Sequence, residues 1–306
     1  MDSGSITPAD NVTAPQAQAV YNTVLNAAGC GSSANHLACL RSKDYTTFLN
    51  AVNSVPGIFS YRAVDLAYLP RPDAGDNFFS QSPDVSVVSS AFAKVPIIIG
   101  DQQDEGTLFS LTQNNITTNA QLITYLASYF PGNKNAVADV TGLVSLYPDQ
   151  PLLGQPAGSP FNTGALNNIY PQYKRLAAIL GDITFTLTRR TYLSIVSSQV
   201  PSWSYLATYF AGTPVLGTFH ASDILTAYGT VQGVPAQTIQ TYYISFINKL
   251  DPNALTTAAP LITWPKWTVS APKLVDFAAL GNTLITDDFR KAASDYLASK
   301  TTAFRV

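Results

Sequence analysis

The chain has 306 residues, with 17 Lys and Arg against 19 Asp and Glu, which gives a net charge of −2. Hydrophobic residues make up 46% of it and charged residues 12%, about half the usual charged fraction. So much apolar material can offset the entropy of ordering a core, which excludes a disordered tail. The near-neutral charge argues against nucleic-acid binding, because no strong field attracts phosphates. No stretch approaches the roughly 18 apolar residues of a transmembrane helix.

The first third of the chain predicts short helices followed by a long irregular stretch. Pro15 is a favourable first helical residue, and the helix that it opens should end near Gly31. Two shorter helices are predicted over 35–41 and 45–52. Residues 55–84 are rich in Pro, Gly and Asp. Because proline removes a backbone donor and fixes φ, the centre of this stretch cannot be regular helix.

A continuous apolar run at 95–100, Val-Pro-Ile-Ile-Ile-Gly, predicts a buried strand. Since polar and apolar residues do not alternate, the strand should be buried on both faces, as in a parallel sheet. The polar segment 101–107, Asp-Gln-Gln-Asp-Glu-Gly-Thr, leaves its carboxyl end. Ligands of open α/β sheets bind beyond the carboxyl ends of strands, so this segment is a candidate site.

The rest of the chain predicts further helices, a second buried strand and a terminal hairpin. Helices are expected over 118–130, 135–146, 170–197, 236–250 and 289–299, a strand over 203–210, and a hairpin of 274–280 with 283–285 around Gly281 and Asn282. No repeat and no dividing linker is present, so residues 1–306 are expected to form a single unit.

Two cysteines leave two interpretations open. A bridge between Cys30 and Cys39 would contribute about 2.5–3 kcal/mol on the chain-entropy model. Two buried free thiols are the alternative. Asn-x-Thr sequons at Asn11 and Asn115 favour secretion. The first residues, however, contain no basic segment, apolar stretch or cleavage site and therefore no signal peptide, so either the protein is cytosolic or its beginning is missing.

Glu105 and His220 are the candidates for acid–base chemistry. Glu105 follows the first buried strand, and His220 follows a glycine-containing turn and precedes a helix start at Ser222 and Asp223. Taken alone, Glu105 is more simply explained as a solvated carboxylate and His220 as a structural histidine. The chain's other histidine, His36, lies among small and polar residues and is expected at the surface.

Together, Glu105 and His220 follow the chain order of acid and histidine in an α/β-hydrolase triad. In that triad the histidine takes the proton of the nucleophile, and the carboxylate fixes its tautomer. The nucleophile should sit earlier, on a Gly-x-Ser-x-Gly motif, and the sequence has none. Ser3 and Ser5 lack the flanking glycines.

Several segments, in the right order, resemble the C-terminal half of the fungal lipase branch of the type-B carboxylesterase family, which also includes the cholinesterases. They are Met-Asp-Ser-Gly-Ser at 1–5, the cysteine loop at 28–40, Tyr-Leu-Pro-Arg-Pro-Asp at 68–73, the strand with its acidic segment at 95–107, Gly-Thr-Phe-His at 217–220, and 246–253 with Trp264 and Pro265 beyond. The resemblance covers nearly the whole chain.

This resemblance implies a partial α/β-hydrolase fold, its C-terminal half, with a mostly parallel sheet and flanking helices. It implies that Glu105 and His220 are the acid and base of a Ser-Glu-His triad, that Cys30 and Cys39 form a disulfide, and that Asn115 is glycosylated. The lipases hold the acyl chain in an apolar tunnel, and the matching positions are Val64, Leu66, Leu108, Phe109, Ile179, Leu180, Ile183 and Phe185. From the residues alone, ordinary core packing explains Ile179, Leu180 and Ile183 better.

The expected function is that of a fragment of a secreted carboxylic ester hydrolase, a lipase or esterase. In the family, the nucleophile and the oxyanion loop precede the segment that matches Met1, so the chain alone is expected to be inactive. The alternative is a non-catalytic binding or interaction protein of the same family. Expected partners are an ester or lipid substrate and, for the full-length parent, a lipid interface. No cofactor is expected, and two distant histidines leave no metal-ligand set.

Overall fold

The computed structural model describes residues 1–255 and 260–304. The chain divides into two compact units. The larger comprises Met1–Thr7 and Val87–Val306, and the smaller comprises Pro8–Ser86.

The smaller unit is a set of short helices held by a compact apolar cluster and a disulfide. Its helices are α1 (Pro15–Ala27), α2 (His36–Arg41), α3 (Tyr45–Val52) and the start of α4 (Pro83–Val88), the last of which the sequence did not predict. Side chains of Asn35 and Asp44 cap α2 and α3 by accepting backbone N–H groups. The cluster contains Val24, Leu25, Ala28, Cys30 and Ala51, and the Cys30–Cys39 disulfide is formed.

The larger unit is built on one sheet, to which four strands contribute among the described residues. They are β1 (Ile97–Gln102), β2 (Ser202–Ala207), β3 (Lys273–Ala278) and β4 (Gly281–Thr286), in that spatial order. β1 pairs parallel with β2, and β2 with β3, whereas β4 closes an antiparallel hairpin with β3. The sheet is therefore mostly parallel, as the resemblance implied.

Helices flank this sheet. They are α5 (Asn119–Ala127), α6 (Ala136–Val144), α7 (Tyr173–Gly181), α8 (Leu187–Val196), α9 (Asp223–Ala227), α10 (Val234–Lys249), α11 (Lys291–Ser299) and α12 (Thr301–Phe304). A π-helical turn, Asp182–Thr186, joins α7 to α8, so the predicted block 170–197 is largely one helical segment. In the described part of the chain, the helices are too short or too polar to cross a membrane.

Side chains from opposite faces of β2 enter separate apolar clusters, because successive side chains of a strand alternate in direction. One cluster holds Trp203 and Tyr205 with Tyr242, Trp264 and Phe277. The other holds Leu206 with Ile99, Leu193, Trp267 and Leu274. Burial on both faces explains why the apolar run that opens β1 does not alternate with polar residues.

The bounds of all four strands differ from the sequence prediction. β1 begins at Ile97 and extends through Asp101 and Gln102, both fully buried. β2 ends at Ala207 rather than at residue 210. The hairpin turns at 279–280, so Gly281 opens β4 instead of forming the turn. Leu280 is fully exposed at that turn, so its apolar character misplaced the boundary.

A buried ionic network joins β1 to Asp287, the residue that follows β4. Arg189 of α8 is fully buried and donates to Asp101 of β1 (2.6 Å) and through two nitrogens to Asp287 (2.8 and 2.9 Å). Burial raises the pKa of Asp287, but Arg189 and Arg190 outweigh it and lower the pKa overall. Arg189, Asp101 and Asp287 therefore depend on one another to offset the cost of burying them.

We predict that Arg189→Ala destabilises the protein by about 3–5 kcal/mol, because it leaves Asp101 buried without its cation and Asp287 with Arg190 as its remaining partner. Urea unfolding measures the loss. Lys291→Ala is the control, since Lys291 pairs with Asp295 at the surface, where both side chains are more than half exposed. The control should cost less than about 1 kcal/mol. Equal losses in the two variants would contradict the interpretation.

Candidate active site

Glu105 lies at the start of a 3₁₀ helix, Glu105–Ser110, three residues beyond the end of β1. Its side chain is buried. The backbone of α7 lies directly against the next residue, because a Cβ on Gly106 would lie 1.9 Å from the Ala177 carbonyl oxygen and 2.5 Å from the Gly181 nitrogen. Only glycine permits this approach, which presses the glutamate-bearing turn onto the helix.

Three donors converge on the Glu105 carboxylate. Oε1 accepts from the Gln102 backbone N–H (2.7 Å) and from the Ser3 hydroxyl, and Oε2 lies 2.7 Å from Nδ1 of His220. An ionised carboxylate only accepts hydrogen bonds, so Nδ1 is the protonated ring nitrogen. Nε2 is then the nitrogen that can take up a proton from another group.

His220 belongs to an irregular segment between β2 and α9, residues 208–222, which we call the histidine loop. Asp104 ties this loop to the glutamate-bearing turn. The Asp104 N–H donates to the Thr218 carbonyl (2.9 Å), and the Thr218 N–H donates to Asp104 Oδ2 (2.8 Å). Gly217 has φ +60°, and a Cβ there would lie 2.1 Å from Asp104 Oδ2. The glycine before the histidine thus lets the two loops meet.

Two aromatic rings contact the His220 ring. The ring centroids of Phe109 and Phe185 lie 5.1 and 4.9 Å from that of His220, and 5.5 Å from each other. Phe109 comes from the 3₁₀ helix and Phe185 from the π-helical turn. The histidine therefore has an apolar side built from two of the positions that the sequence assigned to acyl-chain binding.

The other predicted acyl-binding positions are aliphatic. Ile179 and Leu180 are fully buried in α7, and Leu108 and Ile183 are half-buried. Two more lie in an irregular part of the smaller unit, Val64 half-buried and Leu66 exposed. The burial of Ile179 and Leu180 is what ordinary core packing also produces.

Ser3 and Asp104 are site residues that the sequence reasoning missed. Ser3 reaches Glu105 because residues 1–3 pair with the edge of β1, where the Ser3 N–H donates to the Gly100 carbonyl (2.9 Å) and the Gly100 N–H to the Met1 carbonyl (3.1 Å). The resemblance included the segment Met-Asp-Ser-Gly-Ser, which contains Ser3, but it assigned no role to Ser3. The signal for Asp104 was its place directly before Glu105.

Asp223, three residues after His220, is a further buried carboxyl at the site. Burial raises its pKa to about 6, and the negative charges of Asp2 and Glu105 raise it as well. Asp223 therefore becomes charged only as the pH approaches neutrality.

The remaining predicted positions lie elsewhere. Cys30 and Cys39 are in the smaller unit, and Asn115 is exposed, with the next residue of its sequon, Ile116, buried. Glycosylation of Asn115 stays a prediction. Within residues 1–255 and 260–304, no group of three His, Cys, Asp or Glu side chains is arranged to hold a metal ion.

The fold and this pair of side chains define a class. A carboxylate and a histidine that follow neighbouring strands of a mostly parallel sheet, joined through Nδ1, can serve as the acid and base of an α/β hydrolase. The carboxylesterase family model matches residues 1–292, and the chain therefore belongs to the carboxylesterase family.

Comparison with named proteins gives fungal lipases. The chain is 49% identical over 310 residues to "Secreted lipase 1" of Botryotinia fuckeliana and 43% identical over 311 residues to "Secreted triacylglycerol lipase LIP1" of Gibberella zeae. Both matches cover 100% of this chain, but 52% and 51% of the relatives. The chain thus spans about half the length of the curated relatives that it matches.

Solved structures show the same fold. Aspergillus niger EstA matches with a TM-score of 0.74 at 18% identity, covering 100% of this chain and 58% of that one. A PNB esterase matches with a TM-score of 0.69 at 18% identity, covering 97% and 56%. The fold is therefore that of the α/β-hydrolase esterases.

We predict that Asp223 makes the protein less stable as the pH rises from 4 to 7. The folded pKa of Asp223, about 6, lies above the unfolded value of about 3.9. The stabilisation that protonated Asp223 provides is therefore complete below pH 4 and is lost as the pH rises through 6. The loss is on the order of 2 kcal/mol. Asp223→Asn should make the decline in urea unfolding midpoints shallower by this amount, while Asp101 and Asp276, whose pKa values burial also raises, still titrate. Asp295→Asn, at an exposed carboxyl, should keep it, and identical profiles for the two variants would refute the assignment.

Proposed function

We propose that the whole protein hydrolyses carboxylic esters, with Glu105 as the acid and His220 as the base of a serine hydrolase triad. The observation that carries the proposal is the 2.7 Å contact between Glu105 Oε2 and His220 Nδ1. Membership of the carboxylesterase family supports the reaction class.

In this mechanism, Nε2 of His220 takes the proton of a serine nucleophile and returns a proton to the leaving alcohol. Glu105 holds the tautomer with the proton on Nδ1 and stabilises the imidazolium that forms. The rings of Phe109 and Phe185 keep water from one side of the histidine and offer an apolar surface beside it.

The serine itself is proposed to lie outside these 306 residues. The sequence contains no Gly-x-Ser-x-Gly motif, and Ser3, the serine bonded within the site, donates to Glu105 rather than to His220. Ser3 therefore helps to orient the acid and does not occupy the position of a nucleophile. We propose that the residues that supply the serine also supply the oxyanion donors.

The substrate is proposed to be a lipid-like ester with an apolar acyl chain. Relatives named lipases support this choice. The proposed acyl-chain surface comprises Val64, Leu66, Leu108, Phe109, Ile179, Leu180, Ile183 and Phe185, and contact with a lipid interface belongs to the same proposal. The disulfide and the two relatives named as secreted support export of the whole protein, with glycosylation at Asn115.

We predict that His220→Ala lowers kcat of the whole protein on a p-nitrophenyl ester by about 10⁴-fold or more, because the general base is lost. Glu105→Gln should cost at least about 10³-fold, since the tautomer is no longer fixed by an ionised acceptor. The matched control is His36→Ala, which changes a histidine of the smaller unit and should leave kcat unaltered. Full activity in the His220 variant would end the proposal.

We also predict that residues 1–306 expressed alone do not hydrolyse the same ester above the level of their own His220→Ala variant. Without a serine and oxyanion donors, both covalent catalysis and transition-state charge stabilisation are missing, and a single oxyanion donor is worth roughly 2.7–4 kcal/mol. Initial rates with matched protein concentrations measure this. Turnover that depends on His220 would show that the nucleophile lies within the chain.

A further inference from the structure

The histidine loop contains a strained residue, Val215, five positions before His220. Its φ is +67°, in the left-handed region. Glycine enters that region freely, but a β-branched residue such as valine rarely does. Such a conformation costs on the order of 1–3 kcal/mol and persists only where its surroundings enforce it. The loop therefore needs an external restraint at Val215.

Two side chains from elsewhere in the chain restrain both polar groups of the Val215 backbone. The Tyr173 hydroxyl donates to the Val215 carbonyl (2.8 Å). The Val215 N–H donates to Oδ1 of Asn167 (3.0 Å). Asn167 itself has φ +62°, a conformation that asparagine tolerates better than most residues. The strained peptide groups are thus held on both sides by side chains rather than by regular secondary structure.

Tyr173 is suited to a permanent restraint. Its side chain is fully buried at the start of α7, and burial raises the pKa of its hydroxyl far above the neutral range. The hydroxyl therefore stays a donor throughout the working range of a hydrolase. Because the Gly106 backbone packs against Ala177 and Gly181, helix α7 supports the glutamate-bearing turn and, through Tyr173, the histidine loop.

We propose that Tyr173 and Asn167 are positioning residues of the active site, which hold Val215 in its left-handed conformation and thereby keep His220 at hydrogen-bonding distance from Glu105. The inference rests on the proposed function only for the claim that this pair is catalytic. The restraint also explains how a long irregular loop presents its histidine in one place.

The test follows the Nδ1 proton of His220 by NMR in the polypeptide that carries these residues, with the signal assigned by its loss in His220→Gln. Tyr173→Phe keeps the ring and removes the donor. We expect proton exchange with water to quicken about tenfold, the effect of one lost hydrogen bond of about 1.4 kcal/mol. Asn167→Gly, which keeps the left-handed backbone but removes the acceptor, should act in the same direction.

Tyr242→Phe is the matched control. Tyr242 of α10 is also fully buried, and its hydroxyl donates to a backbone carbonyl, that of Ile262 (2.6 Å). Its loss should leave the exchange of the His220 proton unchanged. Val215→Gly combined with Tyr173→Phe should bring the exchange rate back toward the wild-type value, because glycine adopts the left-handed conformation without steric strain.

Unchanged exchange in both Tyr173→Phe and Asn167→Gly, or equal acceleration in Tyr242→Phe, would overturn the proposal. Thermal unfolding of each variant separates loop release from global destabilisation. The same variants should lower kcat with little change in KM. If the exchange responds as stated but the wild-type protein hydrolyses no ester, the proposed function fails and the positioning role stands. If ester hydrolysis is normal but the exchange rate does not respond in the variants, the positioning role fails and the proposed function stands.

Discussion

The parallel pairing of β1 with β2 is the constraint on which the candidate site depends. Glu105 and His220 are 115 positions apart, yet β1 and β2 pair in parallel and in register up to Gln102 and Ala207. The loops that carry Glu105 and His220 therefore both leave the sheet at the carboxyl ends of these strands. Parallel pairing brings the loops close, and Asp104, Gly106 and the histidine loop then bring the two side chains to 2.7 Å.

Several buried charged groups of the larger unit have hydrogen-bonding partners. Glu105 receives three donors, and Arg189 joins two carboxylates in the interior. Lys174 is buried and donates to the carbonyl oxygens of Phe161 and Gly164. Because an unpaired charge in the interior is costly, these partners hold the buried charged groups rigidly in place. Rigidity is what a proton-transfer pair requires, since a small misplacement of the reacting groups slows the chemistry strongly.

The parts of the fold with a local physical signal were predictable. The apolar run before Asp101 predicted β1, and Pro15 predicted the start of α1, because both effects act within a few residues. The hairpin turn was misplaced by two residues, since an exposed leucine and a strand-opening glycine reverse the usual composition of a turn. The two aromatic positions among those predicted to bind the acyl chain, Phe109 and Phe185, contact the His220 ring, and that contact depends on the packing of distant segments.

The sequence by itself determined the family resemblance, the buried strands and the order in which acid and histidine follow them, because composition, periodicity and motifs are local properties of the chain. Only the tertiary structure showed that Ser3 donates to Glu105, that Asp104 joins the two loops, and that Tyr173 with Asn167 holds Val215. These partners lie tens of residues or more apart. A hydrogen bond between them depends on sheet register and helix packing, which no short stretch of sequence contains.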